Sequence, residues 1–213
     1  MIKLSPLDKI LTEIDHTVKT IFNSSITSSR SNPSASIPEN RALNGKEIKH
    51  ASGLMRVDHT GEICAQALYR GQAFTAKSEE TRANLLDSAD EENDHLSWTQ
   101  ERLDELDSHK SYLNPFWYTA SFTIGATAGL ISDKISYGFV MEVEHQVMTH
   151  LDNHIKELPV NDTKSRVILQ QMHKDESQHA INAEKNGGIK LPFPIKILMK
   201  LQSKIMTKTA YYL

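Results

Sequence analysis

A single cysteine, Cys64, leaves this chain without an internal disulfide, so packing must hold the fold, and a reducing cytosolic compartment is expected. Glycine and proline are scarce, 9 and 7 in 213 residues, while Leu, Ala, Glu and Lys are plentiful; that balance disfavours turn-rich β architecture and predicts an all-α fold. Charge of one sign is also lacking. A net charge of −3 provides no basic platform and argues against a nucleic-acid partner. No secretory leader is read at the N-terminus, where acids interrupt the apolar positions of MIKLSPLDKILTEIDHTV. The longest uncharged window, residues 111–132, has the length of a membrane span. Its Ser, Thr, Gly and Pro content and the mean hydropathy of −0.45 instead favour a buried or surface-inserted helix.

The length fits one domain with an adequate core. Ile10, Leu11, Ile14, Val18 and Ile21 make an amphipathic stripe, which predicts a helix over 6–22. The Ser-, Asn- and Pro-rich stretch 23–40 reads as a flexible linker, so the folded domain is expected to start near Arg41 and run to residue 213. Periodicity and cap signals place further helices at about 46–76, 79–108, 115–153, 160–187 and 194–210. Among those signals are Ser78 and Asn161 as starts, Pro115 in a first turn and the Gly187-Gly188 stop.

Within those helices lie two Glu-x-x-His pairs, Glu92/His95 and Glu176/His179. Residues three apart on a helix sit about 300° and roughly 4.5 Å apart, so both side chains share a face and can meet one metal or two adjacent ones. The spacing alone is weak evidence, since Glu142/His145 also has it. A repeat strengthens it: Glu62 precedes the first pair and Glu144 the second, with Glu62 and Glu144 offset by 82 residues and Glu92 and Glu176 by 84. Two helical hairpins of like layout explain both offsets and favour Glu144 over Glu142, with Glu142 and His145 kept as alternates. Four helices can then aim four carboxylates and two imidazoles at one point, as four-helix-bundle di-metal proteins do. Their charge of −4 balances two divalent cations. Oxygen-rich ligation without thiolate suits iron or manganese better than structural zinc, and predicts a metal centre that activates oxygen. Asp175, Glu91 and Asp94 flank the pairs and are candidates to orient the imidazoles. Cys64 is expected to pack away from the metal.

The string RVDHTGE from Arg56 to Glu62, Glu92-Asn-Asp-His95, Glu144 followed by HLDNHI from His150 to Ile155, and DESQH from Asp175 to His179 resemble the demethoxyubiquinone hydroxylases of ubiquinone biosynthesis. The resemblance runs from about Lys46 to the C-terminus, and RVDHTGE is its most specific part. It implies a ferritin-like four-helix bundle, flanked here by an N-terminal helix and a C-terminal amphipathic helix. In it Glu62, Glu92, His95, Glu144, Glu176 and His179 would ligate two iron ions, with O2 as co-substrate. The implied reaction is hydroxylation of the ring of a polyprenyl demethoxybenzoquinol. Tyr69 and His150 are weighed as proton or electron relays against plain packing.

A polyprenyl substrate resides in a bilayer, so a peripheral position on the cytoplasmic face of the cell membrane is expected, or the matrix side of the inner mitochondrial membrane in a eukaryote. The segments 111–132 and 190–210 are the expected contacts. In the latter, Lys196, Lys200, Lys204 and Lys208 line one helix face opposite Ile197, Leu198, Leu201 and Ile205. A lipid-delivery or reductase partner and a homo-oligomer stay open. Two competing readings are a ferritin- or rubrerythrin-like peroxidase or iron-handling protein, and a non-catalytic helical lipid-binding protein.

Overall fold

A computed structural model describes residues 5–22, 28–38 and 42–213. Among them seven helices form and no strand: α1 (Pro6–Phe22), α2 (Gly45–Thr75), α3 (Glu79–Glu105), α4 (Asn114–Ile131), α5 (Asp133–Glu157), α6 (Thr163–Lys185) and α7 (Phe193–Tyr212). The fold is all-α, as composition predicted.

Local chemistry sets the ends. Asn44 and Glu47 close a reciprocal capping box on α2, Ser78 caps α3, and Asp162 caps α6 through Ser165 N–H. Gly187, at φ 86°, takes the left-handed turn after α6 that other residues resist.

One helix expected over 115–153 is two. Ser132 adopts an extended φ of −171°, and its hydroxyl caps α5 by accepting from Ile135 N–H. Asp133 accepts from the backbone N–H groups of Lys77 and Ser78, pinning this corner to the turn between α2 and α3. A Ser-Asp start signal and a tertiary anchor therefore outweigh helical continuity.

The bundle proper is α2, α3, α5 and α6. Two apolar layers fill it, one around Met55, Trp98, Leu151 and Ile168, the other around Tyr69, Leu85, Val140 and Ala183. Between them, on all four helices, lies a polar level. Helix α4 lies closely against the outside of α2. A Cβ on Gly125 would stand 2.2 Å from Leu68 O, and one on Gly71 2.2 Å from Phe122 O, so two backbones meet where only glycine fits.

Residues 28–38, expected to be linker, lie against α3; residues 23–27 and 39–41 fall outside the described residues. Ser28, Ser29 and Arg30 bond Asp94, and Asn32 bonds Glu101. Short polar side chains and free backbone N–H groups find a buried carboxylate there, which a composition-based reading of flexibility overlooks. The stripe of α1 is largely outward-facing: Leu11 and Ile14 are both 54% exposed, whereas Ile21 is buried.

Candidate metal centre

The polar level gathers all six residues singled out by spacing. Glu62 comes from α2, Glu92 and His95 from α3, Glu144 from α5, Glu176 and His179 from α6, and every one is buried. Their potential ligand atoms form two overlapping groups, each confined within 4.8 Å: Glu62, Glu92, His95 and Glu176, and Glu92, Glu144, Glu176 and His179. Glu92 and Glu176 belong to both. The layout could hold two adjacent cations with two carboxylates shared between them.

Each imidazole turns Nδ1 inward. His95 Nδ1 is 2.9 Å from Glu92 Oε2, 3.1 Å from Glu176 Oε1 and 3.3 Å from Glu62 Oε2. His179 Nδ1 is 3.0 Å from Glu176 Oε2 and 3.2 Å from Glu92 Oε1. Nε2 faces outward in both rings and meets an acid on the opposite helix. His95 Nε2 lies 3.1 Å from Asp175 Oδ2, and His179 Nε2 lies 2.7 Å from Glu91 Oε2. Each Nε2–H donated to a carboxylate fixes the tautomer and frees Nδ1 as a ligand.

Without metal the cluster must hold protons. Burial pushes Glu62 and Glu144 well above the usual carboxylate range, reinforced by the charges of Glu92 and Glu176. Burial would lower both histidines, yet the surrounding carboxylates outweigh it and raise them, with Glu92 foremost at His95 and Glu176 at His179. Even so, Glu92 Oε1, Glu144 Oε2 and Glu176 Oε1 are buried with no hydrogen-bond donor in bonding geometry. Stranded carboxylate oxygens converging with neutralisable imidazoles fit a pair of divalent cations, which would satisfy those oxygens and release the protons.

Other candidates fall outside the cluster. Glu142 pairs with Lys196 of α7 at 2.6 Å and His145 is exposed, so of the third-helix candidates Glu144 alone lies in the cluster. Asp94 does not orient an imidazole; it is held by the 28–30 segment. Cys64 lies beside the apolar cavity described below, where burial lifts its thiol to about 11. His59, inside the RVDHTGE string, is fully buried and lowered to about 3, a neutral core histidine. Tyr69 is buried and its hydroxyl donates to Glu144 Oε1. Glu91 was legible: it precedes Asp175 by 84, the offset that relates Glu92 to Glu176. A buried pair, Asp58 Oδ1 to His154 Nδ1 at 2.6 Å, was not.

A cavity of about 420 Å³ reaches the cluster at Glu62. Its walls come from α2, α4, α5 and α7 and are chiefly apolar, with Leu68, Ile124, Phe139, Leu198 and Met206 among them. His150 and Asp58 supply polar points on that wall, and His150 Nε2 lies 2.9 Å from Ser203 Oγ. On α7, Leu198, Leu201 and Ile205 are each more than half exposed. No helix among the described residues is long and apolar enough to cross a membrane.

An all-α helical bundle with a buried carboxylate–histidine cluster that could hold metal is the class that this fold and this cluster define. Residues 49–210 match the family "Ubiquinone biosynthesis protein COQ7". The chain is 58% identical over 211 residues to the 3-demethoxyubiquinol 3-hydroxylase of Francisella philomiragia subsp. philomiragia, covering 99% of each chain. It is 56% identical over 215 residues to the proteins of that name from Francisella tularensis subsp. novicida and subsp. tularensis, again covering 99% of each. The chain belongs to the ubiquinone biosynthesis protein COQ7 family and is an enzyme of the hydroxylase type.

Proposed function

We propose that this enzyme is a di-iron, O2-dependent 3-demethoxyubiquinol 3-hydroxylase, placing one hydroxyl on the ring of a polyprenyl quinol. The observation that carries the reading is the pair of four-residue groups sharing Glu92 and Glu176, with an apolar cavity that Glu62 helps to line. Glu62, Glu92, His95, Glu144, Glu176 and His179 would hold the two irons, which supply oxygen activation when bound. The chain's own part is positioning and exclusion. Asp175 and Glu91 hold the imidazoles, the Tyr69 hydroxyl holds Glu144, and the apolar layers keep water from the centre. The cavity would orient the quinol, its ring toward Glu62 and its tail along the greasy wall. Peroxide turnover or iron storage gives no reason for such a cavity.

Membrane contact belongs to the same reading. Exposed Leu198, Leu201 and Ile205 beside a row of lysines on α7 would rest on an anionic leaflet as a peripheral, monotopic surface on the cytoplasmic side. The decisive experiment is quinone profiling of a deletion strain together with metal analysis of the purified protein. Accumulation of the demethoxy precursor and two irons per chain are expected. Normal ubiquinone levels would remove the assigned reaction, and a folded, metal-free protein that takes up no iron would remove the di-iron centre.

A further inference from the structure

The two halves of the cluster are alike in their ligands but not in what stands behind them. On one side His179 is oriented by Glu91, whose side chain is 62% exposed and, among the described residues, bonds only His179. On the other, His95 is oriented by Asp175, and Asp175 is itself held from two further directions: Gln171 Nε2 donates to Oδ1 at 2.9 Å and Arg30 Nη1 to Oδ2 at 2.8 Å. Arg30 reaches that point from outside the four bundle helices, and it too is fixed. Its Nε donates to Asp94 Oδ2 at 2.5 Å, its guanidinium lies 4.8 Å from the Trp98 ring centroid, and its carbonyl accepts from Trp98 Nε1 at 3.4 Å. Asp94 is buried and also takes Ser28 Oγ and Ser29 N–H. The guanidinium thus forks between an acid of α3 and an acid of α6, a geometry its planar set of donors favours.

We infer that residues 28–32 form a strap whose Arg30 is a positioning residue for the metal centre, acting on His95 through Asp175 and having, among the described residues, no counterpart on the His179 side. The inference rests on the di-metal reading of the cluster. Holding Asp175 against Nε2–H keeps the ring of His95 turned with Nδ1 inward, so release of the ion that His95 binds is slowed. Arg30 lies ahead of residues 49–210, so the strap, though not the acids and the imidazole it acts on, sits outside the segment that matches the family.

The test loads full-length protein with ferrous iron under anaerobic conditions and follows release to a chelator, with far-UV circular dichroism as a check on folding. Arg30→Gln is expected to release one of two ions about tenfold faster than wild type, the scale of losing an outer partner of a ligand. Asp175→Asn should do the same, and the double variant should be no faster than Asp175→Asn alone, because both changes cut one chain of contacts. Asn32→Ala, which removes the Glu101 bond and the two bonds Asn32 Oδ1 accepts from Ser34 but leaves the fork, should match wild type. Release from Arg30→Gln at the wild-type rate, rates that multiply in the double variant, or an Asn32→Ala effect equal to that of Arg30→Gln would each overturn the role given to Arg30. A wild-type protein that binds no iron would overturn the di-metal reading itself, an outcome plainly distinct from those three.

Discussion

Glu92 and Glu176 face each other across the bundle, each presenting one oxygen to His95 and the other to His179 at 2.9–3.2 Å. The helices α3 and α6 that carry them therefore present matching ligand sets, related by the 84-residue offset that also relates His95 to His179 and Glu91 to Asp175. Glu62 and Glu144 complete the relation but differ in setting, since Tyr69 holds Glu144 while Glu62 opens on the cavity.

Shared and unshared carboxylates should fail differently. Glu92→Gln and Glu176→Gln are each expected to lose both ions, whereas Glu62→Gln and Glu144→Gln should retain about one ion per chain. Elemental analysis after desalting separates the cases. Equal losses from all four variants would contradict the shared role proposed for Glu92 and Glu176.

Protonation of the metal-free cluster sets a pH dependence of stability. Glu62 and Glu144 are raised above 4.5, chiefly by burial, and the carboxylates raise His95 and His179 above 6.5 against the opposing effect of burial. For each group the folded state holds a proton that the unfolded state has already released, so stability falls as pH rises. Glu92 and Glu176, held low by the two imidazoles against the effect of burial, act in the opposite sense at about pH 4.5 and below, so the decline through Glu62 and Glu144 emerges above that range and steepens above about 6.5 through the histidines. Metal-free protein should therefore melt at progressively lower temperature between about pH 5.5 and 9. Metal-loaded protein, whose coordination has displaced those protons, should show a flatter profile, raised by about 2.7 kcal/mol at free metal a hundredfold above Kd. A metal-free profile that rises with pH would contradict the protonation assigned here.

Glu-x-x-His spacing also occurs at Glu13/His16 and Glu47/His50, yet Glu13 pairs with Arg70, and His50 meets Tyr211 and the Glu157 carbonyl. Spacing by itself was therefore uninformative, and the repeat carried the centre, because an internal duplication is a pattern that local sequence preserves. Helix existence was equally legible from periodicity. The break at Ser132 was not: it depends on Asp133 reaching N–H groups 55 and 56 residues away. Arg30 was invisible for the same reason, its partner Asp175 lying 145 residues on. The cavity needs α7 laid beside α2 and α5, which no local pattern encodes.

Close approach of α2 and α4 makes Gly125 intolerant of the smallest side chain. In Gly125→Ala the new Cβ would stand 2.2 Å from Leu68 O and 3.0 Å from Leu68 C, both backbone atoms that cannot swing aside. Helix propensity favours alanine by about 1 kcal/mol, but overpacking costs about 1–3 kcal/mol and here meets rigid backbone. A net loss is expected, lowering Tm by roughly 2–4 °C per kcal/mol for a chain of this size. A melting curve at or above wild type would mean that the two helices part freely.

Gly61 gives the opposite case and the most direct test of the cavity. It lies on α2 beside Glu62 and lines the cavity wall, and a Cβ there would meet no atom within 4 Å. Replacing a mid-helix glycine with leucine should leave the fold intact or steady it, by up to about 1 kcal/mol, since leucine is the better helix former. The side chain would then fill the space that the proposed function assigns to the quinol ring. Gly61→Leu is expected to keep its iron and its Tm while kcat/KM for the polyprenyl quinol falls about a hundredfold, the scale of a reactant displaced by about 1 Å. Gly45, equally open but at the far start of α2, provides the control: Gly45→Ala should turn over as wild type does. Retained activity in Gly61→Leu would move substrate entry away from this cavity while leaving the metal centre untouched, because the two properties are read separately in iron content and turnover.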